Sequence, residues 1–331
     1  MKIYGNEEVV QTVAGMIRKG REPHSIMIHG EKGLGKKTLA KYIAAQLMCE
    51  EHSGMPCGHC KACRMLEKGV HPDLIIAQAN DKGNYPVENI REGIVADSVV
   101  MPTEGSMKVY VIPDFDRSTI TSVTIQNILL KLIEEPPEHT AVIMTARSKE
   151  VFLDTIISRV LSLGMVSVTD GESADFLQNN FPDKSPEEIS AAVYAGRGNI
   201  GRCSDYIKRE QFFYSAAAAR DIAAAAAGGS EYEILKAFVQ TDGKKAMVRE
   251  AVYLFSEIVR DACIFRLEGK GSDMSVSCDK RLAAKLSDRL LCSSCTELYD
   301  TLEEYIRRID ANCNLSMTVN SLAGQIAQIC K

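Results

Sequence analysis

Short apolar runs recur along the first half of the chain: "SIMIHG" at residues 25–30, "DLIIA" at 73–77, "KVYVI" at 108–112, "TAVIMT" at 140–145 and "VLSLG" at 160–164. Segments with helical periodicity separate them, such as residues 123–134 and "TLAKYIAAQLM" at 38–48. Short apolar strands alternating with helices predict a parallel sheet covered by helices on both faces. After about Met165 the strands stop. "ADFLQNNF", "SPEEISAAVYAG" and "NIGRCSDYIKRE" read as short helices broken by Pro182, Pro186 and the glycines at 196, 198 and 201, which suggests a small helical module. From about Gln211 everything readable is helix, including the alanine tracts at 216–219 and 223–227, the periodic stretch 247–267 and residues 287–330. The pattern divides the chain into an α/β unit over 1–164, a small helical unit over 165–209 and an all-α unit over 210–331.

Composition narrows the setting. A length of 331 residues agrees with two or three domains, and 45% apolar with 25% charged residues is ordinary for a globular protein. The formal charge of −5 argues against a free-standing nucleic-acid binder that depends on an excess of lysine and arginine, so any DNA contact is expected to be shared with partners. Residues 1–20 lack a signal-peptide pattern and no apolar run approaches the ~20 residues a membrane span needs, so a cytoplasmic location and no membrane partner are expected. In a reducing compartment the eleven cysteines are not readily explained as disulfides, and their spacing carries the information.

The stretch "GEKGLGKKT" follows the first strand and opens a helix. In a loop of form G-x-x-x-x-G-K-[ST], backbone N–H groups cradle phosphates, the lysine meets the terminal phosphates and the hydroxyl holds Mg²⁺. Gly30, Gly33, Gly35 and Lys36 supply the loop, but Lys37 stands at the hydroxyl position, and Thr38 sits about 100° further round the helix. A glycine turn without a ligand is the bland alternative. The acid that organises Mg²⁺ normally closes an apolar strand. After "KVYVI" come Pro113, Asp114, Phe115 and Asp116, so Pro113 falls where that acid belongs unless a slipped register gives the role to Asp114. Two losses at one metal site point to abandoned hydrolysis, while ATP, ADP or an anion remains able to bind the backbone amides.

"CEEHSGMPCGHCKAC" places cysteines at 49, 57, 60 and 63, the last three in two overlapping C-x-x-C steps. Zn²⁺ favours four thiolates in a tetrahedron, and Gly54, Pro56 and Gly58 supply the turns that let such a loop close. Without a general base nearby, a structural Zn²⁺ held by Cys49, Cys57, Cys60 and Cys63 is expected. Unrelated thiols are the alternative; His52 and His59 are competing ligands, with His59 expected to point outward. Cys292 and Cys295 form a C-x-x-C inside a helical region and read as surface or core thiols.

The combination of "GEKGLGKKTLA", "CGHCKAC", "VENIR" at 87–91, "NILLKLIEEPP" at 127–137 and "TIISRV" at 155–160 resembles the delta prime subunit family of the bacterial DNA polymerase III clamp loader, within the AAA+ superfamily. By motif the resemblance covers about residues 1–205. It implies an AAA+ α/β parallel-sheet domain with an inserted zinc-binding loop at 49–63, a helical lid over 165–209 and a helical collar over 210–331 that joins five subunits. The family's Ser-Arg-Cys motif supplies an arginine to the neighbouring motor subunit's ATP site; Ser158 and Arg159 match it, and Val160 replaces the cysteine. Thr145 matches a polar sensor position, and Gly201 falls where active motors carry an arginine, with Arg202 beside it expected to face solvent. The stretch between Asp116 and Asn127 runs longer than the family pattern.

The resemblance therefore implies a non-hydrolysing subunit that stabilises the pentamer and gives Arg159 in trans, with motor subunits (gamma/tau) and the delta subunit as direct partners and the sliding clamp and primed DNA as indirect ones. The competing reading is a gamma/tau-like motor subunit that hydrolyses ATP with Thr38 and Asp114.

Overall fold

In the computed structural model, residues 2–80, 84–115, 122–270, 277 and 279–330 are described. The chain divides into two compact units, 1–168 and 169–331.

The first unit opens with helix α1 (Glu7–Arg18), strand β1 (Ser25–His29), α2 (Lys36–Met48), α3 (Lys61–Glu67), β2 (Leu74–Ile76) and the single turn α4 (Val87–Ile90). It continues with β3 (Lys108–Ile112), α5 (Ser122–Glu134), β4 (Thr140–Ala146), the short α6 (Asp154–Ile157) and β5 (Leu161–Gly164). The five strands form one parallel sheet in the order β2-β3-β4-β1-β5. All five apolar runs are strands, as expected, with ends shifted by a residue or so. α1 and α3 add to the pattern: α1 was hidden in a segment read only for targeting signals, and α3 lies inside the cysteine loop.

Parallel strands joined by helical crossovers are covered on both faces, so central strands read as unbroken apolar runs. Alternate residues of one strand serve different cores: Ile26, Ile28, Val109, Val111 and Ile143 pack with α1 and α2, while Met27, Tyr110, Ile112, Val142 and Met144 pack with α5 and Ile156 of α6. The register that pairs Ile28 with Thr145 and Ile112 with Met144 brings the C-terminal ends of β1, β3 and β4 together.

In the second unit α7 (Asp170–Asn180), α8 (Pro186–Gly196) and α9 (Ile200–Ile207) enclose a small core of Leu177, Ile189, Ala192, Val193, Cys203 and Ile207. Thr169 with Glu172, and Ser185 with Glu188, form capping boxes that satisfy the first N–H groups of α7 and α8. Six further helices follow among the described residues: α10 (Gln211–Gly228), α11 (Glu231–Ala237), α12 (Lys245–Glu268), α13 (Lys280–Arg289), α14 (Cys292–Asp310) and α15 (Leu315–Ile329). The alanine tracts lie in α10, where Ala216, Ala219, Ala223 and Ala226 are buried in one large helical core; small side chains there allow close helix approach. Residues 287–330, read as one helical stretch, are the end of α13 followed by α14 and α15.

The cysteine loop is anchored to the first unit by a buried amide. Gln46 of α2 is fully buried, and its Nε2 donates to the carbonyls of Gly54 (2.8 Å) and Val10 (3.2 Å). Gly54 lies at φ +84°, and a Cβ there would sit 2.6 Å from the Ala14 carbonyl oxygen of α1. The Gly54→Ala variant should therefore lose about 1–3 kcal/mol of stability from a clash and a left-handed backbone together. Urea denaturation of the full chain checks this, and an unchanged midpoint would contradict the close approach.

Candidate functional site

β1 ends at His29 and the chain turns through Gly30 (φ +149°), Gly33 (+96°) and Gly35 (+91°) into α2. Only glycine holds these angles without strain, and at Gly30 a Cβ would also lie 2.8 Å from the Met165 carbonyl oxygen. The N-terminus of α2, which has no side-chain cap, thus follows the loop directly, where the helix dipole favours an anion. Lys36 is only 6% exposed; its Nζ donates to the carbonyls of Gly30 (2.6 Å) and Glu31 (2.8 Å), bracing the loop from inside.

The groups expected to hold Mg²⁺ are arranged differently. Lys37 Nζ lies 2.9 Å from Asp114 Oδ2, an ion pair between the residue at the hydroxyl position and the first acid after β3. Asp114 takes a left-handed backbone (φ +50°) directly after Pro113, and its N–H donates to Thr145 Oγ1 (2.9 Å) at the end of β4. Thr145 is fully buried, so this bond ties the exits of two central strands together. Thr38 is exposed on α2 and does not line the cavity at the loop. An ammonium donates but cannot ligate a cation, and here it occupies the carboxylate that would share one. These residues do not fit a phosphate-bound Mg²⁺. Asp116 and the first part of the stretch up to Asn127 fall within 116–121, outside the described residues, and the rest of that stretch belongs to α5.

A cavity of about 300 Å³ opens over the loop, walled by Lys32, Gly33, Lys36, Lys37, Asp114 and Arg147 among others. Lys32 and Arg147 were missed by sequence reasoning. Arg147 follows Thr145 by two positions at the exit of β4, and only the sheet order shows that this exit faces the loop.

Arg159 lies elsewhere, in the turn after α6, with a 43% exposed side chain. Its Nε meets Glu134 Oε1 at 2.9 Å, and Nη1 donates to the Thr155 carbonyl (3.0 Å) and to Ser158 Oγ (3.1 Å). Nη2 has no partner among the described residues. The approach to α6 is itself pinned by buried Gln126 of α5, which donates to the Val151 carbonyl (3.0 Å) and accepts from the Leu153 N–H (2.6 Å). α5 therefore positions the arginine twice, through Gln126 and through Glu134, a contact the motif "EEPP" did not announce.

The sulfurs of Cys49, Cys57, Cys60 and Cys63 lie within 4.8 Å of one another. Backbone N–H groups point at them in series: Cys57 to Cys49 Sγ (3.4 Å), Cys60 to Cys57 Sγ (3.3 Å) and Cys63 to Cys60 Sγ (3.3 Å). Burial pushes the Cys60 thiol up, but the N–H of Cys63 and the hydrogen bonds around it outweigh burial and bring it down to about 7. Burial and the neighbouring Cys60 and Cys49 push Cys63 up to about 12. Such divergence marks thiols too close to ionise together, a conflict that a dication removes. Four sulfurs at this spacing, each of three accepting an N–H, suit a tetrahedral soft-metal site. His59 stands outside the four, 74% exposed, with Nε2 2.6 Å from Glu51 and Nδ1 3.0 Å from the Cys57 carbonyl. His52 lies 3.7 Å from Glu22.

In the second unit, Arg202 does not face solvent as expected. Its side chain is 19% exposed, bonded to Glu250 at 3.1 Å and placed over the rings of Phe212 and Tyr253, so α9 is tied to α12 through it. Cys292 and Cys295 occupy the first turn of α14, the latter buried in the helical core.

Residues 5–168 match the family described as "DNA polymerase III, delta subunit". The DNA polymerase III subunit gamma of Buchnera aphidicola (subspecies Schizaphis graminum) is 32% identical over 197 residues, covering 57% of this chain and 53% of that protein. The DNA polymerase III subunit delta' of Bacillus subtilis is 31% identical over 157 residues, 47% of this chain and 46% of that protein. The chain thus spans about half the length of these relatives. A solved gamma subunit-related protein of Thermotoga maritima aligns over 97% of this chain and 99% of its own, with 16% identity and a TM-score of 0.45. The chain resembles the DNA polymerase III delta' and gamma subunits, as its motifs implied, and residues 1–168 form an α/β unit built on one parallel sheet, followed by a helical region. Among the described residues no helix is long and apolar enough to cross a membrane.

The bond between the Asp114 N–H and Thr145 generates a prediction. Thr145→Val keeps the shape but leaves that N–H without its acceptor, so stability should fall by about 1–3 kcal/mol, whereas Thr145→Ser should lose clearly less. Chemical denaturation of both variants reads the difference, and a loss in Thr145→Ser equal to or larger than that in Thr145→Val would show that the methyl group matters at least as much as the hydroxyl.

Proposed function

We propose that this chain is a non-hydrolysing clamp-loader subunit of the DNA polymerase III holoenzyme, which stabilises the pentamer and donates Arg159 in trans to a neighbouring motor subunit's ATP site. The observation that carries the reading is the Lys37–Asp114 ion pair at 2.9 Å, which sets an ammonium, unable to ligate a cation, against the acid that hydrolysis would use for a metal. Arg159 supplies the complementary half: it is exposed, braced by Glu134 and Thr155, and one guanidinium nitrogen has no partner among the described residues. An arginine that reaches a neighbour's phosphate stabilises the charge developing there and needs no chemistry in its own subunit. In this scheme residues 165–209 are the lid and 210–331 the collar. The motor subunits (gamma/tau) and the delta subunit are partners, the sliding clamp and primed DNA are reached through the complex, and the setting is the bacterial cytoplasm.

Cys49, Cys57, Cys60 and Cys63 hold a structural Zn²⁺ on this reading, clipping the loop between α2 and α3. The alternative is a motor subunit, favoured by the relatives named gamma, whose identity of 32% is no lower than the 31% of a delta' relative. Mg²⁺-dependent ATPase activity of the isolated protein separates them: robust turnover abolished by Lys36→Ala supports the motor and sinks the non-hydrolysing reading.

In a complex reconstituted with motor and delta subunits, Arg159→Ala should assemble normally, while DNA-stimulated ATPase falls by up to ~10³-fold. Unchanged ATPase would remove the trans role. Metal analysis should find about one zinc per chain, lost in the Cys60→Ser/Cys63→Ser double variant. It should also be released as pH falls, because protons compete for the same thiolates. Absence of zinc from protein purified without chelators would overturn the site.

A further inference from the structure

The phosphate loop and its metal position disagree in a way that has a chemical consequence. The glycine turns, the first-turn N–H groups of α2 and buried Lys36 are the parts of an anion site, and they are intact. The parts that would share a divalent cation with a bound phosphate are tied to each other, Lys37 Nζ to Asp114 Oδ2. Among the described residues that line the 300 Å³ cavity are four cationic side chains, Lys32, Lys36, Lys37 and Arg147, and one carboxylate, Asp114. A working loop of this type receives a phosphate chain together with a dication that offsets the chain's charge. Here the offsetting charge belongs to the protein.

We propose that Lys37 takes the place of the divalent metal, so that the loop binds the polyphosphate end of a ligand without Mg²⁺, and that Mg²⁺ weakens the binding. This rests on the non-hydrolysing reading above and extends it to the ligand's form. The Lys37 ammonium bridges Asp114 and a phosphate oxygen through its three donors, as a hydrated metal would bridge acid and phosphate. An added Mg²⁺ confronts that fixed ammonium and, by holding the free phosphate chain in solution, withdraws the ligand that the four cations attract. A pocket near 300 Å³ is at the small end for ligands, enough for a phosphate chain. The shared chemistry is a di- or triphosphate, whether from a nucleotide or an inorganic chain.

Isothermal titration of the full chain with ADP, ATP and inorganic tripolyphosphate, each in EDTA and in excess Mg²⁺, tests it. The expected result is binding in EDTA that Mg²⁺ weakens by severalfold or more. Tighter nucleotide than tripolyphosphate binding marks the nucleotide as the source; equal binding marks the phosphate chain alone, and both agree with the proposal. Lys37→Thr, which restores a hydroxyl, should reverse the sign so that Mg²⁺ tightens binding, while Lys37→Arg should keep the wild-type sign. Lys36→Ala should abolish binding, its fold checked by circular dichroism. A wild-type site that requires Mg²⁺, no binding of any of the three in either condition, binding that survives Lys36→Ala, or a Lys37→Thr variant still weakened by Mg²⁺ overturns the proposal. Absence of binding would leave the non-hydrolysing reading standing, whereas Mg²⁺-dependent turnover would remove both.

Discussion

The groups around the glycine loop are placed by one constraint: parallel strands, buried on both faces, must all exit at the same edge of the sheet. β1 delivers the glycine loop, β3 delivers Asp114, and β4 delivers Thr145 and Arg147, because the strand order β2-β3-β4-β1-β5 makes β4 the neighbour of both β1 and β3. Ligand sites of open α/β sheets lie outside the carboxyl ends of the strands for this reason. The hydrophobic cores on the two faces therefore set the catalytic-looking geometry before any polar residue contributes. The Thr145 to Asp114 bond then locks two of the exits, and the Lys37 to Asp114 pair joins the third.

Electrostatics decides what that edge can do. A metal-using loop leaves an acid unpaired until a cation arrives, so its charge depends on occupancy. With Lys37 in place, Asp114 has a cationic partner before any ligand arrives. The pair itself contributes little stability, since Lys37 is 56% exposed and surface pairs are worth at most about 1 kcal/mol. Its significance is exclusion: one ammonium at 2.9 Å makes the carboxylate an unsuitable metal ligand without altering the fold that presents it.

Much of this was legible in the chain because period and composition speak directly to local structure. Five apolar runs became five strands, and the alanine tracts became a helix whose small buried side chains explain their abundance. The four cysteines were legible because C-x-x-C spacing is itself the geometry of a shared ion. Less visible were contacts that depend on which strands are neighbours. Arg147 and Lys32 carry no motif, Glu134 meets Arg159 only after α5 and α6 are packed, and Arg202, expected in solvent, is drawn inward by Glu250 and two rings of the same unit. Helix α3 was hidden because a cysteine loop rich in turn residues masks the seven-residue helix that carries its last thiol.

The mooring of Arg159 shows how the two halves of the proposed role stay compatible. Its anchors, Glu134 and the segment held by Gln126, belong to α5 and α6 and share no side chain with the loop, Lys37 or Asp114. A finger that serves a neighbour has to present its guanidinium in a fixed place whatever its own loop contains, because the neighbour's transition state tolerates little displacement.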